Sequence, residues 1–138
     1  MGKRIFVNLP VGDLERSTAF YEALGFGKNA TFSDERASCM VWSDEIYVML
    51  LTKDFYKHFT DGKDIIDAKK TSGALLAISL DSKDEVQRFA DTAEEAGGRV
   101  YQVDMGGGDM MFGYEVEDLD GHVWEPHWMD EAAMQSTM

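Results

Sequence analysis

The chain has 138 residues, of which 44% are hydrophobic and 28% are charged. These values are typical of one globular domain with its own core, and they exclude collagen-like, low-complexity and largely disordered classes. The 26 acidic residues outnumber the 13 basic ones and give a net charge of −13, which argues against binding to nucleic acid or to an anionic membrane surface. The charge either serves solubility alone or attracts a cationic partner at low salt.

Neither a membrane span nor a disulfide is expected. No apolar run approaches the roughly 20 residues that a spanning helix needs. The first residues lack the apolar core of a secretory signal, because Asn8, Pro10 and Gly12 interrupt them. The single cysteine, Cys39, excludes an internal disulfide and any multi-cysteine zinc site. We therefore expect a cytoplasmic location.

The first half of the chain predicts a strand, a helix and three further strands. Apolar residues alternate with a period of two over residues 5–11, which is typical of a strand. Asp13 is the expected N-cap of a helix that ends at Gly25. The further strands are predicted over residues 29–34, 37–43 and 46–52.

The second half predicts the same order of elements again. A strand over residues 74–80 is followed by Ser82 and Glu85, which have the spacing of a capping box at the start of a helix. Gly97 ends this helix. The last strands are predicted over residues 99–104, 110–117 and 122–128. A strand–helix–three-strand unit that recurs after roughly 70 residues indicates an internal repeat.

Two segments lie outside the repeated units. The connecting segment, residues 53–73, is rich in apolar residues and is either a lid or binding loop, or a short helix packed over the sheet edge. The C-terminal tail, residues 129–138, is either frayed or a helix that contacts a partner subunit.

Two motifs in this chain resemble those of the vicinal oxygen chelate superfamily, which includes glyoxalase I, extradiol dioxygenases, and fosfomycin and bleomycin resistance proteins. The sequence VNLPVGDLERSTAFYEALGF at residues 7–26 is similar to the superfamily's opening segment. The sequence EDLDGHVWE at residues 117–125 resembles its closing motif, DPDGxxxE, with Leu119 in place of the usual proline. The resemblance covers residues 5–128.

This resemblance implies an α+β fold in one domain, residues 1–138. Two βαβββ modules, at about residues 4–52 and 74–128, would form a U-shaped, mixed and mostly antiparallel sheet around a cavity. Such a fold hosts many chemistries, so the site residues must decide the function.

Strand parity predicts which side chains line the cavity. The apolar set that begins with Ile5 and Val7 suits the side of the sheet that packs against helices, so the alternate residues face the cavity. The predicted lining is Phe6, Asn8, Tyr47, Met49, Leu51, Leu75, Glu125 and His127. Trp42 and Phe112 are further candidates, with Tyr47, for stacking on a planar ligand.

The superfamily holds a divalent metal with inward residues from four strands, and the resemblance maps these positions onto Phe6, Met49, Leu75 and Glu125. Of these, Glu125 alone has a side chain of the kind found there, since phenylalanine and leucine do not coordinate metals and a thioether is a poor ligand for hard ions. A catalytic zinc needs three protein ligands. No metal cofactor is therefore expected.

The alternative is a rebuilt metal site. Glu125 and His127 share a strand face and would supply two ligands, with a third from Asn8, Glu115 or a loop. Without a metal, Glu125 either stabilises the cavity wall, or acts as a general base or as the recognition group for a positive ligand.

Two functions follow as predictions. The first is a small-molecule-binding protein of the bleomycin resistance kind, without a cofactor. Its ligand is hydrophobic or aromatic, and a cationic ligand of this type is one alternative. The second is a lyase or dioxygenase of the glyoxalase kind that uses Glu125 alone or a metal at Glu125 and His127.

A homodimer is also expected. Proteins that this chain resembles commonly pair, and an antiparallel sheet with free edges needs covering. The methionine-rich tail, with Met129, Met134 and Met138, is apolar enough to lie over a neighbour's sheet edge.

Overall fold

The computed structural model describes residues 2–104 and 106–132 and has a mixed α+β fold. The chain divides into two compact units, Met1–Thr71 and Ser72–Met138, each built on one mixed sheet. The division falls inside the predicted connecting segment. No helix in the described part of the chain is long and apolar enough to cross a membrane.

The first unit contains a four-stranded sheet in the order β1-β4-β3-β2. Its elements are β1 (Ile5–Val11), α1 (Leu14–Ala23), β2 (Gly27–Asn29), β3 (Ala37–Val41) and β4 (Ile46–Thr52). Strand β1 runs parallel to β4, whereas β2–β3 and β3–β4 are antiparallel. The predicted bounds of β1 and β4 are confirmed.

Helix α1 covers one face of this sheet. Asp13 is its N-cap and accepts a hydrogen bond from the backbone N–H of Arg16 at 3.1 Å. The buried hydroxyls of Thr18 on α1 and Ser38 on β3 lie 2.7 Å apart. The face of the sheet that carries Ser38 is therefore the helix side.

The strand predicted over residues 29–34 is wrong. Strand β2 ends at Asn29, and Ala30–Phe32 forms a short 3-10 helix. The side-chain oxygen of Asn29 accepts hydrogen bonds from the backbone N–H groups of Thr31 and Phe32. An asparagine that satisfies the amides after it starts a turn instead of continuing a ladder.

The connecting segment begins with helix α2 (Lys53–His58), which Thr52 caps and which contacts β1 and β4. The Arg36 guanidinium lies 4.4 Å from the centroid of the Phe55 ring on this helix. The short-helix interpretation matches this part of the segment. A role as a binding loop stays a prediction.

The second unit contains a sheet in the order β5-β9-β8-β6, with β7 also paired to β9. Its elements are β5 (Leu75–Ser79), α3 (Lys83–Glu95), β6 (Arg99–Tyr101), β7 (Met111–Gly113), β8 (Glu115–Glu117) and β9 (Val123–Met129). Strand β5 runs parallel to β9, and the other pairs are antiparallel.

The strand predicted over residues 110–117 is split into β7 and β8 at Tyr114. The N–H of Tyr114 donates to the Pro126 carbonyl at 3.2 Å, but proline has no N–H to return the bond. The register along β9 is the same on both sides of the break, with Gly113 opposite His127 and Val116 opposite Trp124.

Helix α3 starts at the predicted capping box. The Ser82 hydroxyl accepts from the backbone N–H of Glu85, and the Glu85 carboxylate accepts from the backbone N–H of Asp81. The apolar stripe of α3 that includes Val86 and Phe89 is buried. Strand β9 extends to Met129, while the predictions for residues 133–138, including Met134 and Met138, lie outside the described residues.

Candidate functional site

In the first unit, the predicted lining residues share the sheet face opposite α1. Phe6 pairs with Tyr47, Asn8 with Met49, and Pro10 with Leu51, so these side chains alternate with the residues that face α1. Leu51 is buried, whereas Asn8 is exposed and Tyr47 and Met49 are half-buried. Strand parity is therefore confirmed within this unit.

Phe6 and Tyr47 form a stacked aromatic pair on this face. Their ring centroids lie 4.5 Å apart at an interplanar angle of 13°. The Tyr47 hydroxyl donates to the backbone carbonyl of Asp44 at 3.0 Å, and this bond fixes the position of the Tyr47 ring. Phe6 remains 50% exposed, so its outer side offers a flat apolar surface on which a planar group can stack.

Trp42 and Phe112 do not lie on the faces that carry the other predicted lining residues, which corrects the expectation that they stack on a ligand there. The Trp42 ring packs 4.7 Å from Phe26, which in turn contacts Tyr21 of α1. Phe112 pairs with Trp128, and both have the opposite parity to Glu125. Each is on the helix side of its own sheet because the strand alternates.

In the second unit, the face opposite α3 carries three rows of side chains that run across the strands. Adjacent strands pair these residues directly, so members of a row are neighbours. The central row is Tyr101, Glu115, Glu125 and Ala77. The flanking rows are Arg99, Glu117, Val123 and Leu75 on one side, and Gly113, His127 and Ser79 on the other.

The central feature of this face is a pair of carboxyl groups. Glu115 is 4% exposed, and its side chain lies beside that of the half-buried Glu125 on the paired strand. Burial first, and then the negative charge of Glu125, raise the pKa of Glu115 to about 7. At weakly acid pH the Glu115 carboxyl is therefore largely protonated.

Sequence reasoning named Glu115 only as an optional third metal ligand and missed the pair. The position of the turn that joins β8 to β9 indicates which residues pair across the hairpin. Residues equidistant from Asp120 pair across this hairpin, as Glu117 does with Val123, and Glu115 and Glu125 are equidistant from it.

His127 is turned back along its own strand. Its Nδ1 lies 3.1 Å from the backbone carbonyl oxygen of Glu125, to which the ring donates. This bond leaves Nε2 as an acceptor. His127 thus shares the face with Glu125, as predicted, but its Nδ1 is committed to the backbone.

The positions that the resemblance maps onto the superfamily's metal ligands carry mostly apolar side chains here. Phe6 and Met49 in the first unit, and Leu75 in the second, offer no ligand suited to a hard divalent ion. Within neither unit of the described chain do three His, Cys, Asp or Glu side chains converge closely enough to hold a metal ion. The carboxyl of Glu125 instead has Glu115 as its partner.

The closing motif builds the turn that carries Glu125. Buried Asp118 accepts hydrogen bonds at Oδ1 from the backbone N–H groups of Asp120 and His122, each at 2.9 Å. Gly121 follows with φ at +94°, in the region that favours glycine. The motif therefore shapes the hairpin that sets Glu125 opposite Glu115.

The chain belongs to the Glyoxalase/Bleomycin resistance protein/Dioxygenase superfamily, whose family model matches residues 5–125. Among curated proteins, none gives a significant match to the sequence.

Several solved structures have the same fold. A hypothetical protein from S. aureus is 25% identical, with 93% of this chain and 94% of that one covered and a TM-score of 0.74. A family enzyme from Burkholderia phytofirmans is 14% identical, with coverage of 93% and 99% and a TM-score of 0.76. The fosfomycin resistance protein FosX from Listeria monocytogenes is 17% identical, with coverage of 93% and 91% and a TM-score of 0.64.

Proposed function

We propose that this family member binds a small organic molecule on the sheet face opposite α3, without the divalent metal of its superfamily. The observation that carries the proposal is the buried carboxyl of Glu115, whose Oε1 has no hydrogen-bond partner among the described residues and which lies opposite Glu125 on the next strand. Glu125 stands where the closing motif puts the superfamily's metal-binding carboxylate, and here its partner is a second carboxyl group.

An apolar neighbour of the carboxyl pair within the second unit supports this proposal. Leu75 in the second unit is 57% exposed beside the row that contains Glu125. Exposed apolar side chains of this size favour contact with a hydrophobic or aromatic ligand.

Metal analysis and thermal unfolding test the metal-free part of the proposal. We expect the purified protein to carry no stoichiometric divalent ion, and added zinc, nickel or iron(II) to leave its melting temperature unchanged. A metal that binds only the folded state must stabilise it by mass action. A chelator-reversible rise that is lost in Glu125→Gln and kept in Glu95→Gln, which removes an exposed charge on α3, would refute the proposal.

A second candidate function is catalysis by Glu125 as a general base in a lyase or dioxygenase reaction. The observation in its favour is that Glu125 is half-buried on the face opposite α3, where a carboxylate can reach a bound molecule. Turnover of a hemithioacetal or a catechol, lost in Glu125→Gln, would promote this candidate over simple binding.

We further propose that the protein acts in the cytosol as a twofold homodimer. Strands β1 and β5 are edge strands of their sheets, and exposed edges favour pairing with a second chain. The net charge of −13 opposes self-association at low salt, so the test is made at moderate salt. Sedimentation equilibrium should give twice the chain mass, and a single monomeric species at micromolar concentration would exclude the dimer.

A further inference from the structure

The carboxyl pair of Glu115 and Glu125 has no counter-cation within the described chain. The ion pairs there join Arg36 to Asp34, Lys57 to Asp64 and Arg99 to Glu117, and none includes either member of the carboxyl pair.

The basic side chain in the neighbouring row of the same face, Arg99, is already engaged. Arg99 pairs with Glu117, and its guanidinium lies 4.5 Å from the centroid of the Tyr101 ring. It stands in the row beside the carboxyl pair and not in it. A buried carboxyl pair without a cation carries an electrostatic cost that a positive ligand would remove.

One oxygen of the pair also lacks a hydrogen-bond donor. Glu115 as a whole is 4% exposed, and its Oε1 is buried with no hydrogen-bond partner among the described residues. Buried acceptors without a donor are rare, and each costs about 1–3 kcal/mol. The missing donor is therefore something that this unit does not supply.

Strand β5 is the edge of the sheet next to Glu125. Ala77 lies beside Glu125 in the register and has only a methyl side chain. Leu75, Ala77 and Ser79 are all exposed along this edge strand, while Tyr101 flanks Glu115 on the opposite side. The approach is apolar at Leu75 and polar at Ser79.

We propose that this face of the second unit binds an organic cation: a primary ammonium group on a short apolar or aromatic stem. The ammonium group donates N–H bonds to the Glu125 carboxylate and to Oε1 of Glu115, and the stem lies over Leu75 and Ala77. An ammonium group has three donors and no acceptor, which suits the Glu125 carboxylate and the unpartnered Oε1 of Glu115, both of which accept hydrogen bonds. This inference rests on the proposed function and names the ligand class of the same site.

The experiment is an amide NMR titration of the full chain with benzylammonium chloride, and with benzyl alcohol as the neutral probe of similar shape. We expect saturable shifts for benzylammonium at residues 75–79, 101 and 125, and binding of benzyl alcohol weaker by about tenfold. A charge-assisted hydrogen bond is worth about this factor or more. Glu125→Gln and Glu115→Gln should each weaken benzylammonium binding by about tenfold.

Glu95→Gln is the matched control, because it removes one exposed negative charge from the same unit but not from this face. Its benzylammonium affinity should stay within about twofold of the wild-type value, since exposed charges are screened by salt. The dispersion of the same spectra reports whether each variant folds. If a variant does not fold, the comparison of benzylammonium with benzyl alcohol on the wild-type chain still tests whether the positive charge is recognised.

Equal binding of both probes on this face, unaffected by Glu125→Gln, would overturn the ammonium inference and leave small-molecule binding intact. Absence of saturable benzylammonium binding would overturn the inference as well, with a buried water as the donor to Glu115. Displacement of benzylammonium by stoichiometric zinc would overturn both this inference and the metal-free function.

Discussion

In the register of antiparallel strands β8 and β9, Glu115 lies opposite Glu125 on the same face of the sheet. Two ionised carboxylates at directly paired positions repel each other and destabilise a sheet. A proton on Glu115 removes this repulsion, because a neutral carboxyl group carries no negative charge. The pair is therefore stable when half-protonated or when a cation neutralises it.

The first prediction concerns the pH dependence of stability. Burial, with the negative charge of Glu125, raises the pKa of Glu115 from 4.5 to about 7 in the folded chain. Between these values the folded state binds more protons than the unfolded state, so the free energy of unfolding falls as pH rises. The loss is complete above pH 7 and is on the order of 1–3 kcal/mol.

Glu115→Gln removes this titration, since an amide stays neutral. We compare the free energies of unfolding in urea of Glu115→Gln and the wild type. As pH rises from 5 to 8, this difference should shift in favour of the variant by the same amount. Glu95→Gln serves as the control and should follow the wild-type pH profile. Parallel profiles for wild type and Glu115→Gln would contradict a raised pKa at this position.

The sequence predicts much of the fold because its local signals agree with the tertiary contacts. The alternation over residues 5–11, the Asp13 cap and the Ser82–Glu85 box each correspond to an observed strand or helix end. The same alternation correctly separates the helix side from the opposite face in both units. Residues on a strand have only two faces, so parity carries that information without any knowledge of the partner strand.

The wrong predictions of strands and site residues arise where a side chain hydrogen-bonds or interrupts the backbone, or where the result depends on the register between two strands. Asn29 caps a turn, and Pro126 interrupts the ladder opposite Tyr114; neither effect appears in hydrophobic periodicity. The ring of Trp42 suggests stacking on a ligand, although the alternation through Met40 already puts Trp42 on the helix side. The Glu115–Glu125 pair depends on hairpin register, which the turn at Asp120 determines.

A second prediction concerns the hydroxyl pair that joins α1 to β3. The Thr18 hydroxyl donates to the Leu14 carbonyl at 2.7 Å, so Ser38 is the donor in the 2.7 Å contact between the two hydroxyls. Thr18→Val leaves the Ser38 hydroxyl buried without its acceptor and should cost about 2 kcal/mol of unfolding free energy. Ser38→Ala should cost about half as much, because Thr18 keeps its bond to Leu14.

The double variant tests whether the two hydroxyls interact directly. Its loss in urea unfolding should be smaller than the sum of the single losses, by roughly 1 kcal/mol, because the orphaned hydroxyl is removed. Strictly additive losses would show that the two groups are independent.

The last prediction separates the structural role of the closing motif from a chemical one. Asp118 is buried and satisfies two backbone N–H groups in the turn before β9. Asp118→Ala leaves both without an acceptor and should lower the free energy of unfolding by about 2–3 kcal/mol. Asp118→Asn keeps an oxygen at the Oδ1 position and should lose less than half of that amount, because a neutral amide oxygen still accepts both bonds. Urea unfolding measures both variants. If Asp118→Asn were as unstable as Asp118→Ala, the negative charge of Asp118 would matter more than its geometry, and the motif would have a role beyond shaping the hairpin.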